Sequence, residues 1–376
     1  MEWAKIEPSE GVFDEAAIGW YEQLLGHCEA LGLKPMVTLH HFTLPAWVAE
    51  KGGFAEPETV AAFGRYVAKV IERLGSRVPL WCTFNEPMVL ALGSYLAGFM
   101  PPALKEPAKV SRANFHMFQA HAAAYAAIHA IQKRSGPWSK EPVQVGIAHN
   151  MLDFIPDRWW HPLERILAMV IRRYYNGAWL GAITGKDQSF GVPGLIPAAP
   201  FRTGSRKPTA DFIGVNYYTK AYVRWRPRDA SEGSLEGFPV GVAFARRNEE
   251  KTDLGWAIHP AGFRNVLRQA LGYGLPVYVT ENGIADRVDS RRERYLSLHL
   301  REIARLVGEG REIRGYYHWS LMDNFEWREG FSPRFGLFHV DYETFHRTPR
   351  DSALRFRDLV RAHAGGPPRP DLLGLK

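Results

Sequence analysis

Apolar and polar positions along this chain switch between two periods. Short apolar runs rich in β-branched and aromatic residues, at 34–39, 80–84, 143–148, 212–216, 277–280 and 313–319, predict six buried strands. Between them lie segments of helical period at 14–31, 58–74, 111–135, about 162–179, 260–273 and 292–308. In the first of these Ile18, Tyr21, Leu24, Leu25 and Cys28 share one face, and Gly32 closes it. Strand alternating with helix predicts parallel strands joined by helical crossovers, an α/β chain. Residues 1–8 read as the tail of a strand that runs into a turn. The polar, glycine-containing stretch 224–252 reads as an irregular insertion after a strand, either an active-site entrance or a plain surface excursion.

Polar residues gather where the strands end. Trp81-Cys82-Thr83-Phe84-Asn85-Glu86-Pro87 closes an apolar run with an amide, an acid and a proline that takes the chain out of the ladder. A second run, Pro276-Val277-Tyr278-Val279-Thr280-Glu281-Asn282-Gly283, delivers another glutamate into a glycine turn. An isolated glutamate in such a place is ordinarily a solvated carboxylate in the first turn of a helix. Two of them, each with a nearby threonine and an adjacent asparagine, suggest a pair working on one substrate.

Composition bounds the classes. With 376 residues, 46% hydrophobic and 23% charged, the chain has the make-up of a globular protein, long enough for one large barrel or two smaller domains. No linker interrupts the alternation, so one domain over 1–364 is expected, followed by a flexible tail over 365–376. The 12 tryptophans suit either an aromatic core or a cleft that stacks on sugars. The net charge of +7 is dispersed, and the densest cluster, Arg291-Arg292-Glu293-Arg294, carries its own acid, which argues against nucleic acid as a partner. Cys28 and Cys82 form neither a disulfide framework nor a metal-ligand spacing, which fits a reducing, cytoplasmic setting. No apolar stretch is long enough to cross a bilayer, and residues 1–5 do not read as a secretory signal.

Thr83-Phe84-Asn85-Glu86-Pro87 and Thr280-Glu281-Asn282-Gly283 resemble the acid/base and nucleophile motifs of glycoside hydrolase family 1, the retaining β-glycosidases. The likeness extends from Met1 to about Arg357. It implies a (β/α)8 barrel, here expected to lack its first strand, the helix after it and most of the second strand. The family's first-strand glutamine and second-strand arginine have no counterpart in this sequence. By the same resemblance, His41 binds a sugar hydroxyl and Asn85 the 2-hydroxyl, while Tyr218, in Asn216-Tyr217-Tyr218-Thr219, orients the nucleophile. Trp319, Glu326 and Trp327 would recognise the glycone, and Phe335 would pack near its exocyclic carbon. Phe42 departs from the tryptophan that many members carry after the histidine; it keeps an apolar wall and removes an N–H donor. The Ser/Lys/Tyr set that binds 6-phosphosugars is missing. His40, pointing opposite to His41 on an extended chain, is expected to be structural.

The resemblance implies a double displacement in which Glu281 attacks the anomeric carbon and Glu86 protonates the leaving oxygen, then deprotonates water. No metal and no organic cofactor is implied. The expected partner is a β-glycoside or oligosaccharide, and the sequence separates neither glucoside from galactoside nor one oligomeric state from another. Two rival readings are a non-catalytic sugar-binding relic of the same fold and an unrelated phosphate-dependent barrel. The latter needs a glycine-rich anion site after its last strands, where this chain offers Asp323-Asn324-Phe325-Glu326-Trp327 instead.

Overall fold

Apolar runs without alternation belong to strands covered on both faces, and the computed structural model bears this out. Every residue of the strands Leu80–Asn85 and Phe212–Tyr217 is buried. The structure describes residues 1–192, 196–198, 202–226, 233–234 and 240–363. The expected tail at 365–376 lies outside them. All six expected strands are present and form one sheet in the order Met36–His40, Leu80–Asn85, Gln144–Asn150, Phe212–Tyr217, Val277–Asn282, Ile313–His318. By density of contacts the chain divides into two units, Met1–Asn150 with Tyr174–Gly214, and Met151–Arg173 with Val215–Lys376.

In the first unit Met36 lies opposite Leu80, and Leu80 opposite Gln144, all in parallel register. The intervening helix Glu58–Leu74 buries Ala62, Phe63, Tyr66, Val67, Val70 and Leu74, one face at a spacing of three and four. Asp14 caps the helix Glu15–Ala30 by accepting from the N–H groups of Ala16 and Ala17 at 2.8 and 3.1 Å. The expectation of a strand at 1–8 is corrected: Trp3–Ile6 is a helical turn. Its two buried apolar residues, Trp3 and Ile6, stand three apart, a helical spacing that a strand would send to opposite faces. The Trp3 ring stacks on Tyr66 at 5.3 Å, and its indole N–H donates to the buried Glu7 carboxylate at 2.8 Å. The segment expected at 162–179 is two helices, Pro162–Tyr175 and Gly177–Ile183, separated at Asn176.

In the second unit Val277 faces Ile313, again in parallel. A Cβ on Gly283 would sit 1.7 Å from the Trp319 carbonyl oxygen, so only glycine lets the chain after Glu281 pass the end of the neighbouring strand. The described residues of the stretch 224–252 are more regular than its composition suggests. Lys220–Trp225 pairs antiparallel with Val240–Ala243 and parallel with Asp153–Pro156 in a separate four-stranded sheet. Pairing between strands distant in sequence leaves no local periodicity, which is why the stretch read as irregular.

Asp323 anchors the loop after the last strand. It is buried and accepts two hydrogen bonds from Arg350, at 3.1 and 3.0 Å, and others from the Gly336 and Val340 N–H groups. Burial alone would raise its carboxyl pKa; the Arg350 hydrogen bond and charge, with the two backbone donors, outweigh it and leave a net shift downward. Asp323→Ala strands a buried guanidinium and is expected to cost about 3–5 kcal/mol in urea unfolding. Because the folded pKa is depressed, the stability from this group is complete above the ordinary carboxylate range. It is lost as pH falls through the folded value. The difference between Asp323→Ala and the unmutated protein should therefore shrink on acidification.

Candidate active site

Unit one carries the first of the two glutamates. Glu86 follows the strand Leu80–Asn85 with a left-handed backbone, φ 47°, and its N–H donates to the Ala148 carbonyl at 2.7 Å. Pro87 then opens the helix Pro87–Tyr95 at a position where a missing N–H costs nothing. The Glu86 side chain is buried, and its Oε1 accepts from Asn150 Nδ2 at 3.2 Å. Asn150 Oδ1 in turn accepts from the Tyr175 hydroxyl at 2.7 Å. Next to Glu86, the Asn85 side chain is within 3.0 Å of His41 Nε2, which joins two of the expected hydroxyl binders in one polar group.

Burial pushes the His41 pKa down to about 3, so its ring is neutral and offers one donor and one acceptor nitrogen. His40 sits in a cage of Phe54, Phe63 and Phe84 with ring centroids 5.3–6.3 Å away. Burial brings its pKa to about 3 as well. It is a core residue, as expected. Phe42 is buried with φ 69°, its ring edge-on to His41 at 5.0 Å.

Unit two carries the second glutamate. Glu281 is buried within the strand Val277–Asn282, and the Tyr218 hydroxyl donates to its Oε2. Tyr218 lies between two aromatic neighbours, Trp256 at 5.8 Å and Phe335 edge-on at 5.9 Å, which fix its ring while the hydroxyl reaches the carboxylate. Around the same strand Asn282 donates to the Tyr217 carbonyl, and Thr280 donates to Asn216 Oδ1 at 2.6 Å. Beyond the last strand, Trp319 donates its indole N–H to Glu326 Oε1 at 3.0 Å. Trp327 begins a short 3-10 turn with φ 49°.

Within each unit the expected residues therefore meet: His41 with Asn85 beside Glu86, Tyr218 with Glu281 and Phe335, and Trp319 with Glu326. Sequence reasoning passed over Asn150 and Tyr175. Asn150 had a usable signal, since it ends a strand just as Asn85 and Asn282 do. Tyr175, at the last position of a helix, had none. Among the described residues no group of three or more His, Cys, Asp or Glu side chains is arranged to hold a metal. No helix among them is long and apolar enough to cross a membrane.

Comparison with known proteins agrees with these motifs. The chain is 32% identical to a β-galactosidase of Pyrococcus woesei over 383 residues, covering 94% of this chain and 74% of that protein. It is 31% identical to β-glucosidase A of Thermotoga maritima, covering 96% of this chain and 81% of the relative. Among solved structures, the β-glycosidase from Pyrococcus horikoshii superposes with a TM-score of 0.85 at 36% identity, over 99% of this chain and 81% of its own. A sequence model of Glycosyl hydrolase family 1 matches residues 1–364. With both glutamate motifs, the parallel strand order and the match over nearly the whole chain in agreement, the chain belongs to glycosyl hydrolase family 1, and its fold is of that family's (β/α)8-barrel type.

Proposed function

We propose that the protein is a retaining β-glycosidase that removes terminal non-reducing β-glucosyl or related β-glycosyl residues, with Glu281 as nucleophile and Glu86 as acid/base. The observation that carries the reading is the Glu281 carboxylate at the end of a buried strand, receiving the Tyr218 hydroxyl within the sequence Thr280-Glu281-Asn282-Gly283. A carboxylate held by a donor is kept ionised and pointed, which is what attack on an anomeric carbon requires. Glu86 must alternate between protonated and ionised forms. In this scheme the negative charge of Glu281 favours the protonated form of Glu86, and esterification of Glu281 removes that bias.

On the same reading, His41 and Asn85 bind hydroxyls at the polar edge of the sugar, and Glu326 accepts from two more. Trp319 and Trp327 supply a stacking face and N–H donors, and Phe335 an apolar wall. A pyranose has an apolar face of C–H groups and polar edges, which suits carboxylate with indole.

The test is hydrolysis of chromogenic β-glucoside and β-galactoside substrates, with the first-formed sugar anomer followed by proton NMR. The β-anomer released first supports the proposal. Inversion to the α-anomer, or binding of the sugars without turnover, rejects it in favour of a different mechanism or of a sugar-binding relic. Tyr218→Phe removes a hydrogen bond to a charged group worth about 1.5–3 kcal/mol, so kcat/KM should fall roughly 10- to 150-fold. Loss of that donor disfavours the ionised nucleophile, and the acidic limb of the pH profile should move to higher pH.

A further inference from the structure

The mechanism assigns no part to Tyr175 or Asn150, yet they form a hydrogen-bonded chain that ends on Glu86. Asn150 is the last residue of the strand Gln144–Asn150, and Tyr175 the last of the helix Pro162–Tyr175. The Tyr175 hydroxyl donates to Asn150 Oδ1 at 2.7 Å, and Asn150 Nδ2 donates to Glu86 Oε1 at 3.2 Å. Tyr175 is tied to the same strand a second time. His149 Nε2 lies 2.8 Å from the Tyr175 carbonyl oxygen, and a carbonyl can only accept, so that nitrogen carries the ring proton. Burial brings His149 to about 4 and keeps it neutral.

An amide side chain has two orientations that fill nearly the same space, and only its partners choose between them. Here the choice has a chemical result. With Oδ1 engaged by the tyrosine, the amide presents N–H to Glu86; reversed, it would set an oxygen against an ionised carboxylate. Resting on the assignment of Glu86 as acid/base, we infer that Tyr175 and Asn150 are positioning residues that hold an N–H against Oε1 of Glu86 and so set its acid strength. The same N–H supports the ionised form that later deprotonates water. Tyr175 is suited to the part because burial, followed by the nearby Glu86 charge, raises its hydroxyl pKa well above the ordinary tyrosine value. It remains a donor throughout the pH range of activity.

The inference is tested by pH profiles of kcat/KM on two β-glucosides, one with a poor alkyl leaving group that needs the acid and one with dinitrophenolate, which does not. Removing a donor from the ionised form raises the acid/base pKa. Asn150→Ala should therefore move the alkaline limb up by roughly one pH unit. It should also lower kcat/KM about tenfold on the alkyl glucoside, with less than a twofold change on the dinitrophenyl one. Asn150→Asp, which sets a second carboxylate against the first, should move the limb further. Tyr175→Phe keeps the ring and its packing and should give a smaller shift of the same sign, so a folded variant is available whatever becomes of the Asn150 variants. An unmoved alkaline limb in Tyr175→Phe and the folded Asn150 variants, or equal losses on both substrates, overturns the inference. Glu86→Ala separates this failure from that of the underlying assignment. If its alkaline limb persists, Glu86 is not the acid; if the limb vanishes while the other variants do not shift it, only the positioning role falls.

Discussion

Replacing Glu281 by glycine is expected to abolish turnover of β-glycosides, with a fall in kcat of at least about 10⁴-fold, the scale on which loss of a covalent nucleophile is felt. The side chain leaves a space the size of a small anion. Azide or formate should restore cleavage of an activated aryl glycoside by attacking the anomeric carbon from the vacated side. A single displacement inverts configuration, so the azide product should be the α-glycosyl azide, identifiable by the coupling constant of its anomeric proton. Full turnover in Glu281→Gly without added anion would place the nucleophile elsewhere. So would rescue with retained configuration.

Glu86→Ala should give the second largest effect, and one that depends on the substrate. General acid catalysis contributes about 10²- to 10⁴-fold, and the whole of that should be lost in kcat/KM for alkyl and unactivated aryl glycosides. A dinitrophenyl glycoside departs without protonation and should form the glycosyl-enzyme at nearly the native rate. Hydrolysis of that intermediate still needs a base, so it should accumulate as a burst of dinitrophenolate followed by a slow steady state. Added azide needs no deprotonation. It should speed the steady state and yield the β-glycosyl azide. An equal loss on all leaving groups would instead describe a variant whose site is merely disturbed.

The strands and the long helices were legible because their signals are local. The helices Glu58–Leu74 and Arg292–Gly308 run between the expected residues, and each of the six sheet strands lies within two residues of its expected bounds. Their faces are written in the spacing of their own apolar residues. The two catalytic candidates were legible for a related reason: a glutamate ending a buried apolar run is out of place unless something uses it. What could not be read was long range. The Arg350 to Asp323 pair joins residues whose proximity no spacing rule gives, and the pairing of Lys220–Trp225 with Val240–Ala243 depends on a register set across a loop. The helical turn at Trp3–Ile6 was too short to show a period. At Glu86 the motif located the side chain. The hydrogen bonds from Asn150, and through it from Tyr175, come from elements further along the chain and could not be inferred from the motif.

The backbone of Glu86 lies in the region where side chains crowd the following carbonyl, at a cost of about 1–2 kcal/mol that glycine does not bear. Evolution of a tougher version of this protein by heat challenge alone would therefore drift toward glycine at residue 86. It would select a chain that survives warming and lacks the carboxyl group proposed to donate the proton. Directed improvement has to score sugar release and thermal endurance in the same round, because at this one residue they pull in opposite directions.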